Sequence, residues 1–228
     1  MRFGLRLIEY VGDSRELVGL ASLAEEAGFD SVWFPHDPFM RNTWVLTTAT
    51  AMTTSRIEIG SVGTNPYTTG PSEIATYAAT LDELSKGRFI LGLGLHTEQM
   101  VQWTGYDAGN YQVRTREATE IIRRLFRGEV VEYGGKEFDW SEQCYLRFKP
   151  WREELPIYIC AFGQDYLGLS GEIGDGSLPM ITPPESASYM VPAIQQGLDA
   201  NPGRDSYVIS GCAWLSLSET REAAADNM

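Results

Sequence analysis

Hydrophobic and polar positions in the first part of the chain alternate between two patterns. Short apolar runs of the buried-strand type are separated by segments with an apolar residue at every third or fourth position. The runs predict strands at residues 2–8, 30–35, 56–60 and 89–95, and the segments predict helices at 14–26, 43–52 and 72–84. Strands that alternate with helices in this way are typical of a parallel sheet covered by helices.

The rest of the chain continues the same alternation after one interruption. The patterns predict a helix at 112–126, a small inserted hairpin near 129–140, strands at 156–161, 177–181 and 207–217, helices at 165–173 and 186–198, and a last helix that begins at 218–219. The stretch between residue 98 and the helix at 112 is irregular. We therefore predict an α/β protein whose residues 1–228 form one domain, a TIM (β/α)8 barrel with seven βα units and no eighth. Because such a barrel exposes two strand edges, we expect the sequence to be part of a longer chain.

The segment between the third strand and the next helix, from Ile57 to Pro71, differs from an ordinary connection. Its alternating apolar run ends at Gly60 and gives way to small and turn-forming residues. Gly60 and Gly63 lack a Cβ atom, so the backbone could approach a flat ligand or adopt unusual dihedral angles there. A plain Gly/Pro-rich connector explains the same spacing equally well.

Polar residues, together with glycines and a few apolar neighbours, cluster where the predicted strands end, and the active site of a βα barrel lies at these strand ends. The set comprises His36 and Asp37 after the second strand, Ser61 to Tyr67 after the third, His96, Thr97 and Glu98 after the fourth, Phe162, Gly163 and Gln164 after the fifth, and Ile181 and Thr182 after the sixth. Both histidines of the chain belong to this set. Residues 161–164 also open a helix, whose first N–H groups can bind a phosphate.

Other chemistries fit the sequence less well. His36, Asp37, His96 and Glu98 could make a metal site of two imidazoles and a carboxylate, but no HxH or HExxH spacing assembles it, so we predict no metal. No GxSxG motif indicates a nucleophilic serine. Gly92-Leu93-Gly94 lacks the third glycine of a dinucleotide motif, and close packing inside the barrel explains Gly92 better.

Composition narrows the class of protein further. A net charge of -13 argues against binding to nucleic acids or to anionic membranes. Three widely spaced cysteines favour a reducing compartment, and no apolar run approaches the roughly 20 residues of a membrane span. We expect a soluble, cytoplasmic protein that binds neither nucleic acids nor anionic membranes, while the net charge says little about a small substrate.

Several segments resemble a known family in order and in spacing. They are Phe29-Asp30-Ser31-Val32-Trp33, Thr64-Asn65-Pro66-Tyr67, the stretch from Ala79 to Arg88, Leu91-Gly92-Leu93-Gly94, Leu155 to Ile159, and Gly171 to Gly176. Together they cover most of residues 1–180. The chain resembles the luciferase-like superfamily of flavin and deazaflavin enzymes, and in particular the coenzyme F420-dependent oxidoreductases that include methylenetetrahydromethanopterin reductase.

The resemblance implies a cofactor site at the mouth of the barrel. It implies a non-prolyl cis peptide at Ser61–Val62 or Val62–Gly63, in a bulge that supports the central ring of the cofactor. The implied cofactor-binding residues are Ser61, Val62, Gly63, Thr64, Asn65, Gly94, His96, Ala161, Phe162, Gly163 and Gln164. We expect His36 to donate a proton or to stabilise charge on the ring, with Asp37 or Glu98 orienting it and Trp44 near the face of the ring. A homodimer is also implied.

Four positions depart from the family pattern. His36-Asp37 reverses the Asp-His order of many relatives, Arg6 stands where the reductases carry a carboxylate, and Thr97 stands where they carry another, with Glu98 one residue beyond. These departures concern the pterin substrate more than the cofactor. The resulting hypothesis is an oxidoreductase that transfers a hydride between F420 and a small organic substrate. The alternatives are an FMN-dependent monooxygenase and a non-catalytic flavin-binding barrel.

Overall fold

Strands and helices alternate along the computed structural model, which describes residues 1–8, 12–94, 98–107, 109–161, 163–202 and 206–226. The strands are Gly4–Arg6 (β1), Ser31–Pro35 (β2), Glu58–Val62 (β3), Phe89–Leu93 (β4), Tyr133–Gly134 (β5), Asp139–Trp140 (β6), Ile157–Cys160 (β7), Gly176–Leu178 (β8) and Val208–Ile209 (β9). The helices are Ser14–Glu26 (α1), Thr43–Thr53 (α2), Pro71–Ser85 (α3), Glu98–Trp103 (α4), Tyr111–Phe126 (α5), Gln164–Ile173 (α6), Ala187–Ala200 (α7) and Arg221–Asp226 (α8).

Seven strands form one parallel sheet in the order β1-β2-β3-β4-β7-β8-β9. Each strand therefore lies beside its predecessor in the chain, apart from β5 and β6, which pair with each other as an antiparallel hairpin. This succession of parallel strands with helices between them is the order of a (β/α)8 barrel, with seven of its strands among the described residues. The predicted fold class is confirmed.

Local sequence signals explain where the principal helices begin and end. Asp13 caps α1 in a capping box: its side chain accepts the N–H of Glu16, whose carboxylate in turn accepts the N–H of Asp13. Pro71 opens α3, where its missing N–H costs nothing. Lys86 ends that helix in the left-handed conformation and Gly87 follows at φ 82°, which turns the chain into β4.

The two faces of the sheet have different roles. One set of alternating residues, including Ile59, Leu91 and Ile157, packs against the helices and forms the main hydrophobic core. The residues between them, such as Trp33 and Tyr158, face the interior of the barrel. The outer set stabilises the fold, so the inner set and the strand ends are left to form a site.

Some predicted elements differ from the observed ones. The strand predicted at 207–217 is reduced to β9, whose continuation is exposed at Trp214, Leu215 and Leu217 and therefore lacks the burial that its apolar pattern suggested. The strand predicted at 177–181 ends at Leu178, since Pro179 cannot donate to a sheet ladder. Helix α4 lies in the stretch that we read as irregular. Within the described ranges, no helix combines the length and apolar character that crossing a membrane requires.

Candidate active site

A shelf of backbone closes the carboxyl end of β3 against β4. It consists of residues 61–65, and Thr64 forms a parallel bridge with Leu93. The N–H of Thr64 donates to the carbonyl of Gly92 at 2.7 Å, and the N–H of Gly94 donates to the carbonyl of Thr64 at 2.9 Å. Hydrogen bonds in both directions fix the shelf to the neighbouring strand, so its position is set by the sheet.

Hydroxyl groups reinforce the shelf from within. The side chain of Thr64 donates to Ser61 Oγ at 2.9 Å, and Ser61 Oγ accepts the N–H of Gly92 at 3.1 Å. Both side chains are fully buried. Asn65 is also buried, and its Oδ1 accepts the N–H of Tyr67 at 2.8 Å, which shapes the following turn. These hydroxyls and this carbonyl are engaged inside the protein, which leaves backbone as the main surface of the shelf.

The expected cis peptide in the shelf is wrong, because no cis bond occurs among the described residues. Ser61 and Val62 remain within β3, opposite Phe34 and Pro35 of β2, and the carbonyl of Val62 accepts the N–H of His36 at 2.9 Å. Gly63 then makes the bend with φ 74°, a left-handed conformation that glycine adopts without steric cost. The left-handed conformation of Gly63, and not a cis bond, thus bends the backbone at this point.

Two glycines of β4 allow the neighbouring backbone to come close. A Cβ atom on Gly92 would collide with the carbonyl oxygen of Ser61, and one on Gly94 would lie 2.6 Å from the Tyr111 hydroxyl. Gly94 also has φ 140°. The packing role that we favoured for Gly92 is therefore confirmed, while Gly94 brings the shelf next to a buried cluster of Tyr67, Val101 and Tyr111.

An aromatic pair forms the floor below the shelf. The rings of Trp33 and Tyr158 stack with centroids 5.9 Å apart. Gly60 makes room for this pair, since a Cβ atom there would overlap the Trp33 indole. The barrel is filled at this level, so any ligand must lie above it, towards the carboxyl ends of the strands.

Cys160 and Arg6 lie above the floor in the barrel interior. Burial raises the pKa of the Cys160 thiol to about 12, against the opposing effects of the Arg6 charge and of the Gly63 N–H, which donates to the sulfur. Cys160 is therefore a neutral thiol whose sulfur accepts the Gly63 N–H from below the shelf. It is no nucleophile at neutral pH.

His36 lies at the rim of the site, directly after β2. Its ring makes an edge contact with Trp44 at a centroid distance of 6.1 Å, and Trp44 packs in turn against Tyr77 and Phe89 in the outer core. Trp44 thus supports the histidine from the helix side of the sheet. Asp37 Oδ1 accepts the N–H of Phe39 at 2.8 Å and stabilises the turn that follows.

The start of α6 adjoins the shelf through β7. Gly163, at φ 82°, is its N-cap residue and provides no side-chain hydrogen bond. A Cβ atom on Gly163 would meet no atom within 4 Å, and Gln164 is exposed. Ala161 is buried at the end of β7, where its N–H donates to the carbonyl of Leu178 at 3.3 Å. The first turn of α6 therefore faces open space with its positive end.

Several predicted site residues lie outside the described part of the chain. They are His96, Thr97, Phe162 and the side chain of Glu98. Of the described residues, His36, Val62 to Asn65, Gly94, Ala161 and Gly163 come together at the carboxyl edge of β2, β3, β4 and β7. Across the described ranges, no three His, Cys, Asp or Glu side chains are grouped so as to hold a metal ion.

Sequence reasoning missed the interior residues Trp33, Tyr158, Cys160 and Met180 as parts of the site. Alternation along the strands is the signal that could have found the first three, since they alternate with buried core residues such as Val32, Phe34 and Ile159. Met180 follows β8 after a proline and carries no such signal.

The fold is that of an α/β barrel, and the residues at the carboxyl ends of its strands form a candidate small-molecule site. The model of the family described as luciferase-like monooxygenase matches residues 2–228, and the chain belongs to that family. Among curated relatives, the 5,10-methylenetetrahydromethanopterin reductase of Archaeoglobus fulgidus is 35% identical over 98% of this chain and 67% of its own length. The F420-dependent glucose-6-phosphate dehydrogenase of Segniliparus rotundus is 33% identical over 91% of this chain and 68% of its own length.

A solved structure agrees with these relatives. The coenzyme F420-dependent tetrahydromethanopterin reductase of Methanopyrus kandleri superposes with a TM-score of 0.89 at 26% identity, over 98% of this chain and 68% of that one. The chain thus spans about two thirds of the length of the relatives that it matches.

Proposed function

We propose that this protein is an oxidoreductase that transfers a hydride between coenzyme F420 and a small organic substrate at the carboxyl end of its barrel. The observation that carries the proposal is the hydrogen-bonded backbone shelf at residues 61–65, beside the open start of α6. The relatives named as F420-dependent enzymes support the choice of cofactor.

The residues of the shelf fit a flat tricyclic ring. Gly63 and Gly94 present backbone without side chains, and the floor of Trp33 and Tyr158 leaves space only above them. Ring systems pack favourably against such a surface because little polar area is buried without a partner. We propose that Gly63 to Asn65 and Gly94 hold the ring, and that residues 161–164 bind the phosphate at the start of α6.

The chain itself would supply binding, orientation and a proton. F420, when bound, provides the carbon that gives or takes the hydride, and the protein keeps that carbon facing the substrate. His36 is our candidate for the proton donor, since an imidazole titrates near neutral pH. The main-chain N–H of His36 donates to the main-chain carbonyl of Val62. This hydrogen bond fixes the backbone of His36 to the shelf, so the position of His36 is linked to that of the proposed cofactor ring.

Parallel titrations with F420 and FMN test the cofactor assignment. We expect the protein to bind F420 at least about tenfold more tightly than FMN under identical conditions. The reverse preference would replace the proposal with an FMN-dependent monooxygenase, and binding of either without turnover would favour a non-catalytic barrel. Methylenetetrahydromethanopterin is the first substrate to assay, because the reductase relative is named for it.

A substitution at His36 tests its role. His36→Ala should leave the affinity for F420 nearly unchanged and lower turnover by about 10²–10⁴-fold, the usual contribution of a general acid or base. His36→Gln is the matched variant, because it keeps a polar side chain that cannot titrate, and it should be equally slow. Normal turnover in His36→Gln would show that the residue only packs against Trp44.

A further inference from the structure

We propose that Arg6 is a binding residue for an anionic group of the substrate, a carboxylate or a phosphate, in the interior of the barrel. The inference rests on the proposed function, because it concerns the substrate of the same site. It begins with the position of Arg6 as the last residue of β1, at the carboxyl end of that strand.

Strand pairing places the Arg6 side chain in the interior. Arg6 lies opposite Trp33 in the parallel register of β1 and β2, and partners in register point to the same face of a sheet. Trp33 faces the interior, where it stacks on Tyr158. The neighbours of Arg6 in sequence, Leu5 and Leu7, belong to the outer core on the opposite face.

The contact made by the guanidinium confirms this direction. Arg6 Nη1 lies 3.0 Å from the thioether sulfur of Met180. Met180 follows β8, which is the sixth strand of the sheet when β1 is counted as the first. The charge of Arg6 also acts on the thiol of Cys160, at the end of β7. Arg6 therefore extends across the interior at the level of the shelf.

The guanidinium has poor partners there. A thioether is a weak acceptor, and Arg6 Nε is buried with no acceptor among the described residues. Among the side chains that the structure describes, which do not include that of Glu98, no carboxylate lies within 4.0 Å of Arg6. Arg6 is half-buried, and a buried donor such as its Nε is costly to leave without an acceptor, so this arrangement favours an anion that enters the site and accepts from the guanidinium.

Arginine is well suited to that task. Its planar fork can donate two parallel hydrogen bonds to a carboxylate or a phosphate, which orients the ligand as well as binding it. The chain as a whole carries a net charge of -13, so a cation kept in the interior makes a local field of the opposite sign. The substrate class that we infer is a small organic anion.

Anion binding without cofactor tests the proposal apart from the choice of cofactor. The probes are malonate and inorganic phosphate, titrated by calorimetry at constant ionic strength. We expect saturable binding of at least one probe to the unaltered protein and an apparent Kd at least about tenfold higher in Arg6→Met. The matched control is Arg15→Met on the exposed face of α1, which should bind like the unaltered protein. Arg6→Lys keeps the charge without the fork and should give an intermediate Kd.

The outcomes separate this proposal from its rivals. Equal binding by Arg6→Met and the unaltered protein, or no saturable binding by the unaltered protein, would overturn it. A parallel F420 titration identifies the source of the anion: Arg6→Met should change the Kd for F420 less than about threefold. A loss of F420 affinity without any loss of malonate or phosphate binding would assign Arg6 to the cofactor and contradict the proposal. Failure of F420 to bind the unaltered protein would instead contradict the proposed function.

Discussion

Charged side chains at the two ends of the barrel differ in how many hydrogen-bond partners the protein gives them. At the amino end, Arg88 donates to four carbonyls and one hydroxyl, including the carbonyl of Ile57 at 2.9 Å. Arg152 donates two hydrogen bonds, of 2.8 and 2.9 Å, to the carboxylate of Asp82. At the carboxyl end, Arg6 reaches only a thioether among the described residues.

This difference in hydrogen bonding distinguishes the end of the barrel that stabilises the fold from the end that is available to a ligand. Donors and acceptors at the amino end are saturated by the protein, so they stabilise the sheet and the helix ends and offer little to a ligand. The carboxyl end presents a glycine backbone, an open helix start and a poorly paired cation. The saturated groups and the candidate site thus lie at opposite edges of the same sheet, as expected for a βα barrel.

The largest effect on stability should follow from breaking the pair at the amino end. Asp82 is fully buried, and Asp82→Ala leaves the Arg152 guanidinium with the Phe89 carbonyl but without its carboxylate partner, which should lower the free energy of unfolding by about 3–5 kcal/mol. Urea denaturation measures it. Glu172→Ala is the matched control, because the Arg116–Glu172 pair is exposed and should contribute less than about 1 kcal/mol. Equal losses in both variants would contradict the division between the two ends.

A smaller, pH-dependent effect is expected at Glu25, also at the amino end. Its carboxylate accepts the N–H groups of Ser55, Arg56 and Ile57 at 3.0, 2.6 and 2.8 Å. Burial acts to raise the pKa of Glu25, but these bonds to the ionised form outweigh it and lower the pKa overall.

Because the folded pKa is lowered, the stabilisation by Glu25 is present above the unfolded value of 4.5 and is lost as the pH falls through the folded value. Glu25→Gln should therefore cost about 1–3 kcal/mol at pH 7 and progressively less in acid, as measured by urea denaturation at several pH values. Glu26→Gln, at the next and exposed position, should show neither effect. A cost for Glu25→Gln that does not change with pH would show that the charge is irrelevant.

The outer core and the strand order could be predicted from the sequence because both follow from periodicity. Buried strands such as Phe89–Leu93 are apolar throughout, and amphipathic helices such as Tyr111–Phe126 show a clear stripe. The length of β9 could not be predicted in the same way, since exposed Trp214 and Leu217 look like strand residues in sequence. Burial is a property of the assembled fold.

The site was predictable only in part. Gly60, Gly63 and the residues at the strand ends indicate where the candidate site lies. The bend at Gly63 was misassigned to a cis peptide because the family resemblance, and not the local sequence, suggested that geometry. The approach of Arg6 to Met180 joins residues that are 174 positions apart, and no local pattern encodes such a contact.

The most direct measurement of the central claim is the affinity for F420 in two matched glycine variants. Gly63 in the shelf and Gly128 after α5 have φ values of 74° and 76°, so an alanine must adopt the same left-handed φ at both positions, at a cost of about 1 kcal/mol each. The account predicts that Gly63→Ala raises the Kd for F420 by at least about tenfold, whereas Gly128→Ala changes it less than about twofold. The same Kd in both variants would contradict the claim that the shelf at residues 61–65 holds the cofactor.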